Sequence, residues 1–502
     1  MRTTGILMPI FSLASPYGIG TLGAACYEFV DFLEKAGQCW WQILPLNPTN
    51  YGDSPYQSFS SAAGNPFLID LDVLAQEGLL KKEEFAGLDF GSDCESVDYD
   101  KIRETRKPLL RLAFSRFDCR GEGFLRFCER ESDWLDDYCL FMALKQAAGG
   151  ADWHEWSKEL RFREPSVLQE AREKYRTEMQ YFAFEQYEFY REWFLLKDYA
   201  NAHGVGIIGD MPIYVSADSA DSWAHPEIFD LDEELRPKMV AGCPPDPFAE
   251  EGQLWGMPVY RWDIMAEEPE PYSWWKGRLK RAFQVYDKVR IDHFRAFDSY
   301  YCVKYGSPNA KEGVWRDGPG MHFFHAVEKV FGKNLPIIAE DLGFLTPGVR
   351  KLLAESGYPG MKVLQFAFVA GQDSEYLPHN FTPNCVVYTG THDNDTVLGW
   401  TKTAPAADVA AARRYMHVDD AEGFNWAMIR LALMSVAEIS IIPMADYIGL
   451  GSAGRINTPG TVGTNWKWRI GPGCVNDWLA GILLENAELY SRDAQSIRNR
   501  AK

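Results

Sequence analysis

The chain has 502 residues, 46% hydrophobic and 24% charged, which is enough for one large domain with insertions or for two to three domains. Its formal net charge of −20, with no Lys/Arg-rich run to offset it, argues against nucleic acid as a partner, because an acidic surface repels phosphate. Aromatic residues make up 14% of the chain; most are expected to fill the core, but flat aromatic rings also stack on sugars.

Ten cysteines are scattered along the chain without C-x-x-C pairs. Such a pattern does not form a disulfide framework in so long a chain, and it predicts reduced thiols in a cytoplasmic protein. The N-terminal apolar stretch is broken by Pro9 and Ser12 and is untypical of a signal peptide. The most apolar long segment, 426–445, carries Arg430 and Glu438, which argues against a membrane span or a membrane partner.

Eight short apolar runs predict buried strands, at 39–46, 66–71, 204–215, 288–297, 335–343, 362–369, 386–393 and 439–446. Helical patterns occur between many of them, at 22–36, 321–331, 347–356, 406–417 and 421–438. Strands that alternate with helices favour an α/β fold, a (β/α)8 TIM barrel with inserted, largely helical subdomains. An open doubly wound sheet is the alternative.

The uneven spacing of these runs predicts the domain organisation. Residues 1–71 would start the catalytic barrel, 72–203 would form a helical insertion, and 204–502 would complete the barrel. Within the last part, a stretch at about 216–287 is rich in Pro, Trp, Gly and Asp. Long irregular loops in a compact enzyme are usually functional, so this stretch predicts substrate loops.

Four acids follow apolar runs: Asp210, Asp292, Glu340 and Asp393. Any one of them could be a helix cap or part of a loop salt bridge. A buried carboxylate without partners is unfavourable, however, and the carboxyl ends of barrel strands are where such folds carry out chemistry. Their recurrence at equivalent places therefore predicts a catalytic set.

Retaining glycoside chemistry needs a pair of carboxylates roughly 5–5.5 Å apart, one ionised to attack the sugar and one protonated to release the leaving oxygen. Arg290 lies two residues before Asp292, on the same face of its strand, and would keep Asp292 ionised. Asp341 follows Glu340, and a nearby acid tends to raise the pKa of a glutamate, which suits a general acid.

Several motifs, in this order along nearly the whole chain, resemble the 4-α-glucanotransferases, also called amylomaltases or disproportionating enzymes, of glycoside hydrolase family 77. They are "WWQILPLNPT", "YGDSPYQSFSSAAGNPFLIDL", "GDMPIYV", "GQLWGMPVYRW", "RIDHFR", "AEDLG" and "THDND". The resemblance implies a barrel related to that of the α-amylases. It also implies retaining transfer of an α-1,4-glucan segment from a maltodextrin or other maltooligosaccharide to the 4-hydroxyl of glucose or of another glucan, without a cofactor or metal.

By the same resemblance, Asp292 is expected to be the nucleophile that forms a covalent glycosyl-enzyme. Glu340 is expected to be the general acid/base, and Asp393 the acid that stabilises the transition state. The residues expected to bind substrate are Arg290, His293, His392, Asp210, Tyr51, Ser54, Tyr56, Gln253, Trp255 and Asn465, with Asn457 as the alternative to Asn465.

The chain departs from the family pattern at two places. Pro247 and Phe248 stand where some members carry an aromatic pair, and Met257 stands where asparagine is frequent. Both departures concern acceptor binding and product size, and Arg295 receives no role. A retaining α-glucan hydrolase of the α-amylase type is the alternative activity, and a catalytically inactive glucan-binding protein is the alternative class. The chain is expected to be a monomer or a weak homo-oligomer.

Overall fold

The computed structural model describes residues 2–245, 250–343, 345–419 and 421–493. Those residues form twelve strands, β1 (Thr3–Leu7), β2 (Trp40–Gln42), β3 (Gly206–Met211), β4 (Met239–Cys243), β5 (Gln253–Pro258), β6 (Lys288–Ile291), β7 (Ser299–Lys304), β8 (Val314–Asp317), β9 (Ile337–Ala339), β10 (Gly360–Val363), β11 (Cys385–Tyr388) and β12 (Ile439–Pro443).

They also form eighteen α-helices, which are α1 (Ala24–Lys35), α2 (Leu71–Gln76), α3 (Tyr99–Phe114), α4 (Glu122–Arg130), α5 (Leu135–Ala147), α6 (Lys158–Arg161), α7 (Pro165–Lys174), α8 (Arg176–Ala202), α9 (Ala220–Ala224), α10 (Trp262–Glu267), α11 (Ser273–Val285), α12 (Gly320–Phe331), α13 (Pro347–Ser356), α14 (Val397–Thr403), α15 (Ala406–Met416), α16 (Phe424–Met434), α17 (Met444–Tyr447) and α18 (Asp477–Leu489). Within the same residues, none of these helices has the length and apolarity needed to cross a membrane.

Eight of the strands close into a parallel barrel in the order β1-β12-β11-β10-β9-β6-β3-β2. The barrel closes because β1 pairs in parallel with both β12 and β2. The predicted (β/α)8 barrel is therefore confirmed, and the open sheet is excluded. The five predicted helices correspond to α1, α12, α13, α15 and α16.

One predicted strand is wrong. Residues 66–71 form a 3-10 turn, Pro66–Leu68, followed by the start of α2. The side chain of Asn65 accepts the N–H of Phe67, and that of Asp70 caps α2, so these side chains satisfy the backbone locally and no ladder forms. The eighth strand is instead β1, whose buried Thr4 hydroxyl donates to the carbonyl of Ser440 at 3.1 Å. That bond lets a polar side chain be buried in a strand.

The longest helix, α8, bonds to residues 64–70, which lie in the same long segment between β2 and β3. Its Glu192 carboxylate accepts the backbone N–H of Asp70 at 2.8 Å, and its Gln186 bonds both the N–H and the carbonyl of Gly64. A Cβ on Gly64 would lie 2.0 Å from the ring of Phe189, so the close approach requires glycine. Helix α8 thereby holds the chain just beyond residues 51–58. The predicted domain boundaries remain a prediction.

A second sheet, antiparallel and ordered β5-β4-β7-β8, lies outside the barrel. Two of its strands fall within 216–287, so that stretch is not wholly irregular. One of them, β4, pairs with β7, which comes after β6 in the chain, and pairing over that distance leaves no local sequence pattern. Met257 lies in β5 and is buried at 8% exposure, whereas Pro247 and Phe248 lie outside the described residues.

Candidate active site

Three neighbouring barrel strands, β3, β6 and β9, bring three of the four predicted acids to one end of the barrel. Asp210 lies in β3 and pairs in register with Arg290 of β6, so both side chains point the same way. Ile291 of β6 pairs with Ala339 of β9, and the next residue of each strand is a predicted catalytic acid, Asp292 or Glu340. The strand register therefore places these two acids side by side at the carboxyl end.

Arg290 links two of the carboxylates from inside the barrel. Its Nη1 donates to both oxygens of Asp210 at 2.8 Å, and its Nη2 lies 3.0 Å from Oδ1 of Asp292. The side chains of Arg290 and Asp210 are 3% and 0% exposed, whereas that of Asp292 is 30% exposed. Arg290 thus fixes the buried side of Asp292, while the exposed side remains accessible to a substrate, as the role of a nucleophile requires.

Glu340 is oriented by the backbone. Its Oε2 accepts the N–H of His293 at 2.7 Å, and its Oε1 accepts the N–H of Leu342 at 2.8 Å. His293 adopts a left-handed conformation with φ of 53°, which is uncommon for a residue other than glycine and ends strand β6 in a tight turn. The carboxylate therefore has a fixed orientation before any substrate arrives.

The two neighbouring acids have different proton affinities. Burial raises the pKa of Glu340 to about 7; Arg290 opposes this rise and Asp292 adds to it. Burial also raises the pKa of Asp292, to about 6, with the contact to Arg290 as the main opposing cause. Arg290 touches Asp292 directly and so favours its ionised form, whereas the charge of Asp292 favours the protonated form of Glu340.

Asp341 is not among the causes that raise the pKa of Glu340, although the sequence predicts that it would be. Its carboxylate accepts the backbone N–H of Met361 at 2.6 Å, so it turns toward β10. Burial and Asp292, rather than Asp341, raise the pKa of Glu340. Adjacent residues of an extended chain point to opposite sides, which explains the difference.

Asp393 follows β11 and is held by the loop after α17. Asn457 donates from Nδ2 to Oδ1 of Asp393 at 2.6 Å, and Arg455 donates from Nη2 to its backbone carbonyl at 2.8 Å. His392 is 3% exposed on its side chain and lies with Nε2 3.4 Å from the same Oδ1. Arg455 could not be predicted from the sequence, because an arginine in a Gly- and Pro-rich loop carries no distinguishing pattern.

Asn465 and Asn457 have different surroundings. The side chain of Asn465 accepts the N–H of Thr458 at 3.0 Å and donates to the carbonyl of Thr461 at 2.8 Å, so its amide is used within its own loop. Asn457 instead reaches a carboxylate of the site. Of the two alternatives, the structure brings Asn457 to the acids and uses Asn465 to shape the loop.

Aromatic rings line the acids on two sides. The ring of Tyr56 stacks on that of His392 with centroids 5.1 Å apart, and its hydroxyl donates to Oδ2 of Asp210 at 2.8 Å. Trp255 meets the ring of His293 edge-on at 4.9 Å. Burial, followed by the charge of Arg295, lowers the pKa of His293 to about 3, so this ring stays neutral.

Three other residues predicted to bind substrate, Gln253, Ser54 and Tyr51, have different surroundings. Gln253 accepts the indole N–H of Trp255 at 3.1 Å and so helps to orient that ring. The hydroxyl of Ser54 accepts the N–H of Tyr56 at 3.2 Å, which makes it a turn former. Tyr51 is 68% exposed. No group of three or more His, Cys, Asp or Glu in the described ranges is arranged to hold a metal ion.

Comparison with known proteins gives consistent matches over nearly the full length. The family described as 4-alpha-glucanotransferase matches residues 8–473. The 4-alpha-glucanotransferase of Clostridium butyricum is 45% identical over 97% of this chain and 100% of its own. That of Thermus thermophilus is 47% identical over 98% and 99%. An amylomaltase from Streptococcus agalactiae, solved with acarbose, superimposes with a TM-score of 0.95 at 40% identity, covering 98% of this chain and 100% of the other.

Proposed function

Because the chain belongs to the 4-α-glucanotransferase family, we propose that Asp292, Glu340 and Asp393 carry out its retaining transfer of α-1,4-glucan segments. The observation that supports this assignment best is the contact of Arg290 with Asp292, beside a Glu340 whose pKa is raised by burial and by the charge of Asp292. The alternative of an amylase-type hydrolase is not favoured, because full-length relatives at this identity are glucanotransferases.

In the first step, the ionised Asp292 attacks the anomeric carbon of the donor glucan. A carboxylate–C1 ester bond forms and the C1–O4 glycosidic bond breaks. The electron pair of that bond goes to O4 of the departing glucan, which takes the proton of Glu340. Asp393 stabilises the positive charge that develops on the sugar ring, and Asn457 holds its carboxylate in place.

In the second step, the 4-hydroxyl of glucose or of another glucan attacks the same carbon from the side that the first glucan left. The ester bond to Asp292 breaks and returns its electron pair to the carboxylate. The proton of the attacking hydroxyl passes to Glu340, which restores both acids. Two inversions at one carbon give overall retention, and the balance of protons and electrons needs no cofactor.

The surrounding residues bind rather than react. His293 and His392 flank the acids, and a neutral His293 can donate or accept a hydrogen bond to a sugar hydroxyl. Tyr56 supplies a ring next to His392, and Trp255 a ring next to His293. These contacts support donor binding in the pocket. The described cysteines are all free, which supports a cytoplasmic location.

Incubation of the protein with maltotriose tests the proposed reaction. Glucose together with a ladder of longer maltodextrins is the expected product pattern, because a glucanotransferase moves segments between glucans. Release of glucose and maltose without longer chains would assign the hydrolase instead.

The residue assignment is tested with Asp292→Asn. The change should lower kcat by about 10⁴-fold or more while the unfolding midpoint stays near that of the wild type. Asp395→Asn is the matched control: Asp395 is in the same loop as Asp393, but its Oδ2 accepts from the hydroxyl of Ser452. Comparable losses in both variants would contradict the assignment.

A further inference from the structure

Trp315 is an exposed aromatic residue on the edge strand of the second sheet. It lies in β8, pairs in register with Tyr301 of β7, and meets the Tyr301 ring edge-on at 5.4 Å. Its exposure is nevertheless 47%, which is large for a tryptophan that has a neighbouring strand to pack on. The part of the ring that Tyr301 leaves uncovered is available to a ligand.

A buried arginine supports this ring from one side. The guanidinium carbon of Arg295 lies 4.3 Å from the centroid of Trp315, and Arg295 itself is only 8% exposed. A guanidinium stacks well on an indole face and limits the rotation of the ring. The contact gives a role to an arginine that the sequence left unexplained. It also fixes the ring orientation before binding, which lowers the entropy cost of stacking a ligand.

Arg295 connects this ring to the catalytic acids. It lies in the 3-10 turn Phe294–Phe297, which follows Asp292 and His293 directly. Its charge also acts on Glu340 and on His293, so it lies within electrostatic range of both. Trp315 therefore contacts an arginine that interacts electrostatically with Glu340, which places Trp315 on the Glu340 side of the site.

Glu340 protonates the oxygen of the leaving glucan and later accepts the proton of the attacking one. The glucan that leaves and the glucan that arrives must both pass on the side of this acid. We propose that Trp315, backed by Arg295, is a stacking platform for a glucose ring of the acceptor glucan. The inference rests on the proposed function and adds a specificity-determining residue to it.

The test compares Trp315→Leu and Trp315→Phe with the wild type. In maltotriose disproportionation, Trp315→Leu should raise KM about three- to tenfold, and Trp315→Phe should restore most of that loss, because it keeps an aromatic face. Trp478→Leu is the matched control, since Trp478 is 75% exposed in α18, and it should leave KM unchanged.

A second readout separates acceptor binding from damage to the acids. A nitrophenyl α-maltooligosaccharide has an aryl leaving group and no glucose ring on the acceptor side. The burst of nitrophenol from Trp315→Leu should therefore match that of the wild type in rate and amplitude.

Two results would overturn the inference: an unchanged KM in Trp315→Leu, or an equal loss in the burst and in KM. The proposed function fails separately, if the wild type makes no ladder from maltotriose.

Discussion

Arg290 lies with Nη2 3.0 Å from Oδ1 of Asp292 and is itself almost fully buried. A buried cation needs partners, and this one has carboxylates on both sides, in Asp210 and Asp292. The planar fork of arginine can contact both at once. Arg290, a cation inside the barrel, thus favours the ionised form of Asp292 at the carboxyl end of the strands.

Replacement of Arg290 by lysine should lower kcat about 10²-fold, because an ammonium group cannot hold both acids in this geometry. Arg290 lowers the pKa of Asp292 through its charge, so Arg290→Met, which removes that charge, should also move the acidic limb of the pH profile to higher pH. Steady-state kinetics over a pH series measure both effects. Arg350→Lys is the control, since Arg350 pairs with Glu375 at the surface. An acidic limb that does not move would contradict the role given to Arg290.

The pH dependence of kcat/KM should be bell-shaped. Asp292 must be deprotonated to attack, so activity should rise with pH through its pKa of about 6. Glu340 must be protonated to release the leaving oxygen, so activity should fall as pH rises through its pKa of about 7. Rates measured with maltotriose at pH values from about 4 to about 9 would show both limbs.

Glu340→Gln provides the check on this assignment. With a nitrophenyl donor, whose leaving group needs no proton, the variant should still show a burst but should lose the alkaline limb. An alkaline limb that persists unchanged in the variant would mean that another group gives rise to it.

Tyr56→Phe should lower kcat about tenfold with a small change in KM, because it removes the hydroxyl that donates to the buried Asp210 and keeps the ring on His392. Tyr56→Ala should raise KM as well, since the stacked ring is lost. The separation of kcat from KM in maltotriose kinetics is the measurement. Equal effects of the two substitutions would indicate that the hydroxyl has no separate role.

The two asparagines of the loop at 457–465 should separate activity from stability. Asn457→Ala should lower kcat and leave the unfolding midpoint unchanged, because it frees Asp393. Asn465→Ala should lower the free energy of unfolding by about 1–2 kcal/mol, since it removes bonds within the loop. Chemical denaturation and initial rates distinguish them. The reverse pattern would assign the sugar contact to Asn465.

Several features could be predicted from the sequence because they depend on local patterns. Seven of the eight barrel strands overlap predicted apolar runs, since strands buried on both faces are apolar throughout. The family and its glucanotransferase activity were predicted from motifs such as "RIDHFR" and "AEDLG" and are confirmed by the full-length matches. The individual roles of the site residues remain predictions.

Other features depended on contacts between distant segments. Strand β1 was missed because its buried Thr4 is satisfied by Ser440, which lies 436 positions away in the chain. The second sheet was missed because β4 pairs with β7, and both β5 and β6 lie between these two strands in the chain. Neither the choice between Asn457 and Asn465 nor the stacking of Arg295 on Trp315 has a pattern in the neighbouring sequence.

The sequence by itself determined the barrel, the family and the acids at the strand ends, because hydrophobic periodicity and motif chemistry are local properties of a chain. Only the tertiary structure decided how those acids differ. The pKa values of Asp292 and Glu340 follow from burial and from the position of Arg290, and both depend on strands that meet only when the barrel closes. Proton affinity is a property of an environment, and that environment forms on folding.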